Sequence, residues 1–206
     1  MPVVPDSSGD LALSDWAKDW IKREYNKPGD VFLGVVHRLD RPVSGIVVFG
    51  RTSKGASRLS AAWRDGKVRK IYHGISDAPP TLAVGDEGEI VQWLVKDRER
   101  NMVRVVTPPV TLSQDSHANP KEARSKWRII AVERGKTLLE LEPITGRAHQ
   151  LRLACAKLGL PLMGDLKYGA TSAMAGRRIG LHAIELIVPH PTLGQLIHLT
   201  SAYEFF

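Results

Sequence analysis

The sequence predicts an α+β protein built on a largely antiparallel sheet. Three observations predict it: apolar runs of strand length recur along the chain, they are joined by short hairpin-like links, and only three stretches carry helical periodicity. Leu13, Trp16, Ala17, Trp20 and Ile21 fall at i, i+3, i+4, i+7 and i+8, so residues 13–25 read as an amphipathic helix with these five on its buried side. Phe32 to Val36 and Ile46 to Phe49 read as short buried strands on either side of the polar segment His37–Ser44. Thr52 or Ser53 caps a second helix bearing Ala56, Leu59 and Trp63, and Gly66 ends it. Strands follow at Val68–Ile75, Glu89–Val95 and Met102–Val106. Residues 107–122, rich in Pro, Ser and Asn, read as a mobile surface connection. Two more strands, at Lys126–Val132 and Thr137–Leu141, lead to a third helix. Thr145 introduces that helix, Leu151, Ala154, Cys155 and Leu158 lie on one side of it, and Gly159 closes it. The last strands are Gly180–Val188 and Gln195–Thr200.

A chain of 206 residues suits one domain, or one compact two-lobed unit, with a full core. Lys and Arg outnumber Asp and Glu by 29 to 22, a formal charge of +7 that favours a polyanionic partner without requiring one. Cys155 is the single cysteine, so an internal disulfide and a multi-thiolate metal site are both excluded. No apolar run approaches the ~18 residues that a membrane-spanning helix needs. Residues 1–10 are polar and carry proline, unlike a signal peptide, so a cytoplasmic chain is expected.

Three segments carry chemistry. In His37-Arg38-Leu39-Asp40-Arg41-Pro42-Val43-Ser44-Gly45, Pro42 and Gly45 shape a loop that presents Asp40 between Arg38 and Arg41. Positive flanks favour the ionised carboxylate that a nucleophile or base requires, although a turn aspartate in a solvent-screened ion pair fits the same residues. In Lys67-Val68-Arg69-Lys70-Ile71-Tyr72-His73-Gly74, strand alternation puts Lys70 and Tyr72 on one face and Arg69 on the other. Tyr72 suits stacking on a base and moving a proton, or else simply fills a core edge. In Thr145-Gly146-Arg147-Ala148-His149-Gln150-Leu151-Arg152, His149 and Arg152 share a helix face at i and i+3. Arg147 opposes the macrodipole at the helix start, so an anion is its natural partner; a solvated basic face is the plainer reading. No His-Glu-x-x-His spacing, Walker loop, Gly-x-Gly-x-x-Gly or nucleophile elbow occurs, so no metal and no nucleotide cofactor is expected.

Taken in order, these segments resemble the RluA-like family of pseudouridine synthases. His37-Arg38-Leu39-Asp40 with Ser44-Gly45 is similar to its signature loop, Lys70-Ile71-Tyr72 to its Lys-x-Tyr strand, and Thr145 to Arg152 to its Thr-Gly-Arg-x-His-Gln-x-Arg segment. The likeness continues through Leu158-Gly159, Pro161, Gly164-Asp165, Tyr168-Gly169, Leu181-His182-Ala183 and His190-Pro191. Three departures stand out, the first being that no separate N-terminal RNA-binding domain is expected before the core. Met1 to Pro5 align with the end of the family's first turn, so the usual N-terminal strand is expected to be missing, and Ala154 stands where the family often has histidine.

The resemblance implies the pseudouridine synthase fold, a bisected mixed, largely antiparallel sheet with flanking helices and a central cleft, and a single catalytic domain over 1–206 is expected. It implies isomerisation of uridine to pseudouridine in ribosomal or transfer RNA by a monomer that needs no cofactor. Asp40 is then the catalytic carboxylate, Arg152 its ionic partner and Tyr72 the residue stacked on the uracil. His37, Arg38, Arg41, Lys67, Arg69, Lys70, Arg147 and His149 are the expected RNA contacts. A catalytically inactive RNA-binding module of the same fold, and an unrelated hydrolase using Asp40, are the competing readings.

Overall fold

The computed structural model describes residues 1–79, 81–97, 102–107 and 119–202. The chain forms two compact units, Met1–Lys70 with Ile184–Ser201, and Ile71–Ala183 with the C-terminal residues. Strands β4 and β9 run from one unit into the other.

The first unit contains α1 (Leu13–Glu24), β1 (Gly34–Val35), β2 (Ser44–Gly45), β3 (Phe49–Gly50), α2 (Ser53–Arg64), the later part of β9 (Leu181–Pro189), and β10 (Leu196–Thr200). Helix α1 matches the expected span, but its buried stripe is rotated. Ser14 and Ile21 are buried, whereas Trp16 and Trp20 are 44% and 42% exposed. The cause lies at the helix start, where Leu13 and Ser14 donate their backbone N–H groups to the carbonyls of Pro2 and Val3. That segment satisfies donors an α-helix leaves orphaned and turns the Ser14 side inward, so the buried position is polar. Trp20 packs edge-on against Tyr25, whose ring lies under the Arg51 guanidinium at 4.5 Å.

The two expected buried strands are a two-residue antiparallel bridge, Gly34 opposite Gly50 and Val35 opposite Phe49, and most of their residues are half-exposed. Helix α2 explains the glycines. A Cβ at Gly34 would overlap the Cβ of Ala56, and one at Gly50 would lie 2.6–2.7 Å from Ala56 atoms, so only glycine lets the helix cross here. Thr52 caps α2, its Oγ accepting the Gly55 N–H at 3.0 Å, and Gly66 follows the helix at φ +68°.

The second unit is a sheet in the order β4-β8-β7-β5-β6, from β4 (Arg69–Ser76), β5 (Glu87–Asp97), β6 (Met102–Val106), β7 (Lys121–Glu133) and β8 (Lys136–Pro143). Each of these neighbouring pairs is antiparallel, as is β9–β10 in the first unit. Strands β7 and β8 are joined through Arg134 (φ 50°) and Gly135 (φ 73°), a two-residue hairpin whose left-handed pair matches strand twist. The connection expected over 107–122 lies largely outside the described residues, and its last two positions, Lys121 and Glu122, already belong to β7.

One face of this sheet is covered by α3 (Gln150–Lys157). Leu153 packs with Leu94, Val103 and Ala123, and Ile129, Leu139, Leu141, Leu160 and Leu162 are fully enclosed. On the opposite face, charges alternate across β8, β7 and β5: Glu142, Lys126 and Glu89 form one row, and Glu140, Arg128 and Glu87 the next. Opposite charges in register support the pairing that the covered face has already fixed.

Candidate active site

The signature loop belongs to the first unit. Its histidine does structural work: His37 Nε2 accepts the Val48 N–H at 2.9 Å, and its ring stacks on Trp63 at 4.6 Å and 18°. Burial, helped by the charge of Lys70, pushes His37 from 6.5 down to about 4, so the ring is neutral near pH 7 and its proton sits on Nδ1. Beyond that anchor, the Val43 N–H donates to the Asp40 carbonyl at 2.9 Å and closes a turn over Arg41 and Pro42. Asp40 rides on this turn, half-buried. Arg38 and Arg41 are exposed, and the Arg41 guanidinium pairs with Asp6 at 3.7 Å and with Asp10.

His37 also makes a pH dependence visible. Its folded value lies below its ordinary one, so protonation favours the unfolded chain: the stability it supports is present above about pH 6.5 and lost as pH falls toward 4. The melting-temperature advantage of the wild type over His37→Gln is expected to shrink through that window. An advantage that stays flat from pH 7 to 4 contradicts the assignment.

The remaining expected phosphate contacts differ in setting. Lys67 is exposed beside Asp65 at 3.2 Å, and Arg69 is exposed beside Glu185 at 3.9 Å. Exposed pairs of this kind hold a side chain by no more than about 1 kcal/mol. Lys70 is half-buried, and burial lowers its ammonium below the usual range.

The second unit carries the other two segments. Tyr72 on β4 stands opposite Leu141, which stands opposite Trp127, a row on the face that α3 covers. The third segment is organised by Gln150, 4% exposed. Its Oε1 accepts the Thr145 hydroxyl at 2.7 Å and the Arg147 N–H at 3.0 Å, and its Nε2 donates to the Arg124 carbonyl at 2.8 Å and to Ser125 Oγ at 2.9 Å. All four hydrogen-bonding positions of the amide are used, so this glutamine rivets the turn 145–149 to β7. For that reason α3 begins at Gln150 rather than near Thr145. Arg147 therefore precedes the helix and does not oppose its dipole; its Nε donates to the Glu122 carbonyl at 2.9 Å.

The expected basic helix face is not solvated, because Gln150 to Cys155 are all buried. His149 and Arg152 do come together, around a residue that spacing did not point to. His149, at φ 53°, places Nδ1 2.6 Å from the Tyr168 hydroxyl, and the Arg152 guanidinium lies 4.8 Å over the Tyr168 ring. Arg152 itself is 5% exposed and forms a fork with Asp165, Nε to Oδ2 at 2.7 Å and Nη2 to Oδ1 at 2.6 Å. Neither Asp165 nor Tyr168 was among the expected site residues; the Gly-Asp and Tyr-Gly pairs at 164–165 and 168–169 are the signal that finds them. Cys155 is fully buried, and burial together with Asp165 pushes its thiol far up, so it is inert. Among the described residues, no group of three or more His, Cys, Asp or Glu side chains is arranged to hold a metal ion.

Residues 1–157 match the RNA pseudouridylate synthase family. An RNA pseudouridine synthase of Zymomonas mobilis is 35% identical, across 90% of this chain and 78% of the relative. The dual-specificity RNA pseudouridine synthase RluA of Yersinia pestis is 33% identical, across 82% and 78%. The solved structure of human RNA pseudouridylate synthase domain containing 4 superposes with a TM-score of 0.73 over the whole chain and 82% of that protein, at 23% identity. The chain belongs to the RluA-like family of RNA pseudouridine synthases.

Proposed function

We propose that this enzyme converts uridine to pseudouridine within transfer or ribosomal RNA, using Asp40 as its catalytic carboxylate. The observation that supports it best is the loop itself: a neutral, stacked His37 and a closed turn fix the backbone from which Asp40 projects. In the reaction the N1–C1′ bond breaks, the uracil turns, C5 bonds to C1′, C5 gives up its proton and N1 takes one. Asp40 acts at the ribose, Arg152 steadies its charge, and Tyr72 stacks on the base and assists loss of the C5 proton. The target nucleotide leaves its stack to reach the carboxylate, and exposed Arg38 fills the space it vacates. Lys67, Arg69, Lys70 and Arg147 hold phosphates, which supplies affinity without reading sequence.

Because the C5 hydrogen departs, the test is tritium release from C5-labelled uridine, run separately on transfer RNA and on ribosomal RNA. Release is expected from one of the two pools, reaching a plateau at a whole number of uridines per molecule. RNA binding with no release from either pool would instead leave an RNA-binding module that does no chemistry on these substrates.

A further inference from the structure

Asp165 and Tyr168 hold the Arg152 guanidinium in different ways. Asp165, 1% exposed, takes its edge through the two-bond fork at 2.7 and 2.6 Å. The fork fixes the edge of the guanidinium, and the Tyr168 ring, 4.8 Å from Arg152 Cζ, lies over its face and restrains its tilt. Tyr168 is in turn fastened at its hydroxyl, which accepts the Val103 N–H at 3.0 Å, donates to the Val103 carbonyl at 3.3 Å, and meets His149 Nδ1 at 2.6 Å. The left-handed backbone of His149, uncommon for any residue but glycine, is what the chain adopts at that position.

We propose that Tyr168 is a positioning residue for the isomerisation, setting the plane of Arg152 from its face while His149 and the start of β6 anchor it. This rests on the role proposed above for Arg152. A planar cation tilted by a fraction of its width presents its remaining N–H groups in the wrong direction, and a misplacement near 1 Å costs about a hundredfold in rate.

The experiment is a double-mutant cycle read by single-turnover rate at saturating RNA, with equilibrium RNA binding alongside. Tyr168→Leu is expected to slow the wild type by about a hundredfold and leave affinity within about threefold. In an Arg152→Lys background the same change is expected to cost less than about threefold, because an ammonium has no plane to set. Equal losses in the two backgrounds, or a Tyr168→Leu enzyme at the wild-type rate, would overturn the proposal. Should Tyr168→Leu not fold, Tyr168→Phe keeps the ring and loses the anchors. Its cost is expected to be about tenfold with Arg152 and under about threefold with Arg152→Lys, and equal costs overturn the proposal again. An Arg152→Lys enzyme at full rate removes the role of Arg152 itself. A slow Arg152→Lys beside a fast Tyr168→Leu removes only that of Tyr168.

Discussion

Asp40→Asn is expected to abolish isomerisation, by at least about a thousandfold in single-turnover rate, while RNA affinity stays within about threefold. The amide keeps the shape of the carboxylate and can still accept a hydrogen bond, but it is neither a nucleophile nor a useful base. What makes the substitution informative is the loop. The turn beneath position 40 is closed by main-chain atoms, Val43 N–H to the Asp40 carbonyl, and His37 is pinned by a backbone donor and by Trp63. None of these contacts uses the Asp40 side chain, so the loop is expected to survive the change, and a lost rate then reports chemistry rather than unfolding. Turnover by the Asn variant above a few per cent of wild type, with mass spectrometry excluding deamidation, would end the claim for Asp40.

Asp165→Ala is the change expected to cost the fold most, about 3–5 kcal/mol of unfolding free energy. Arg152 and Asp165 are 5% and 1% exposed, so the guanidinium cannot turn to water when the fork is removed. The measurement is the urea midpoint, with the slope checked for constancy. A companion variant sharpens it. Replacing both partners by apolar residues, Arg152→Met with Asp165→Leu, removes the buried charge as well as its partner and is expected to recover most of the lost stability, with activity still absent. A single Asp165→Ala variant within about 1 kcal/mol of wild type would show that the fork contributes little.

Where sequence and structure part company, the reasons are physical. Strands β4 to β10 and helices α1 and α2 were legible because their periodicity and their caps are local, as with Thr52 and Gly66. The buried stripe of α1 was misplaced because tryptophans look like core residues in any pattern, whereas the partner that turned the helix, Pro2–Val3, lies eleven residues upstream of the groups it accepts from. Strands β1 and β3 were overestimated because apolar runs do not reveal that only two residue pairs find a partner. In the site, the loop and the third segment stood out as motifs, yet the start of α3 was set by Gln150, a residue whose four bonds reach 3, 5, 25 and 26 residues back along the chain. Asp165 is 13 residues from Arg152, beyond any helical or strand spacing, and only the folded turn brings it there.

The alternating rows on the face of the second unit opposite α3 bear on how this enzyme meets a substrate. Glu87, Glu89, Glu140 and Glu142 are interleaved there with Arg124, Lys126 and Arg128, Arg124 pairing with Glu89 at 2.8 Å, on a chain that carries +7 in all. Opposite charges interleaved at strand spacing largely cancel within the roughly 8–10 Å over which charge is felt in physiological salt, so this face offers a polyanion no sustained attraction. The chain's positive surplus therefore lies away from this flank, which is electrostatically quiet and leaves the bias of a first collision to the cations elsewhere.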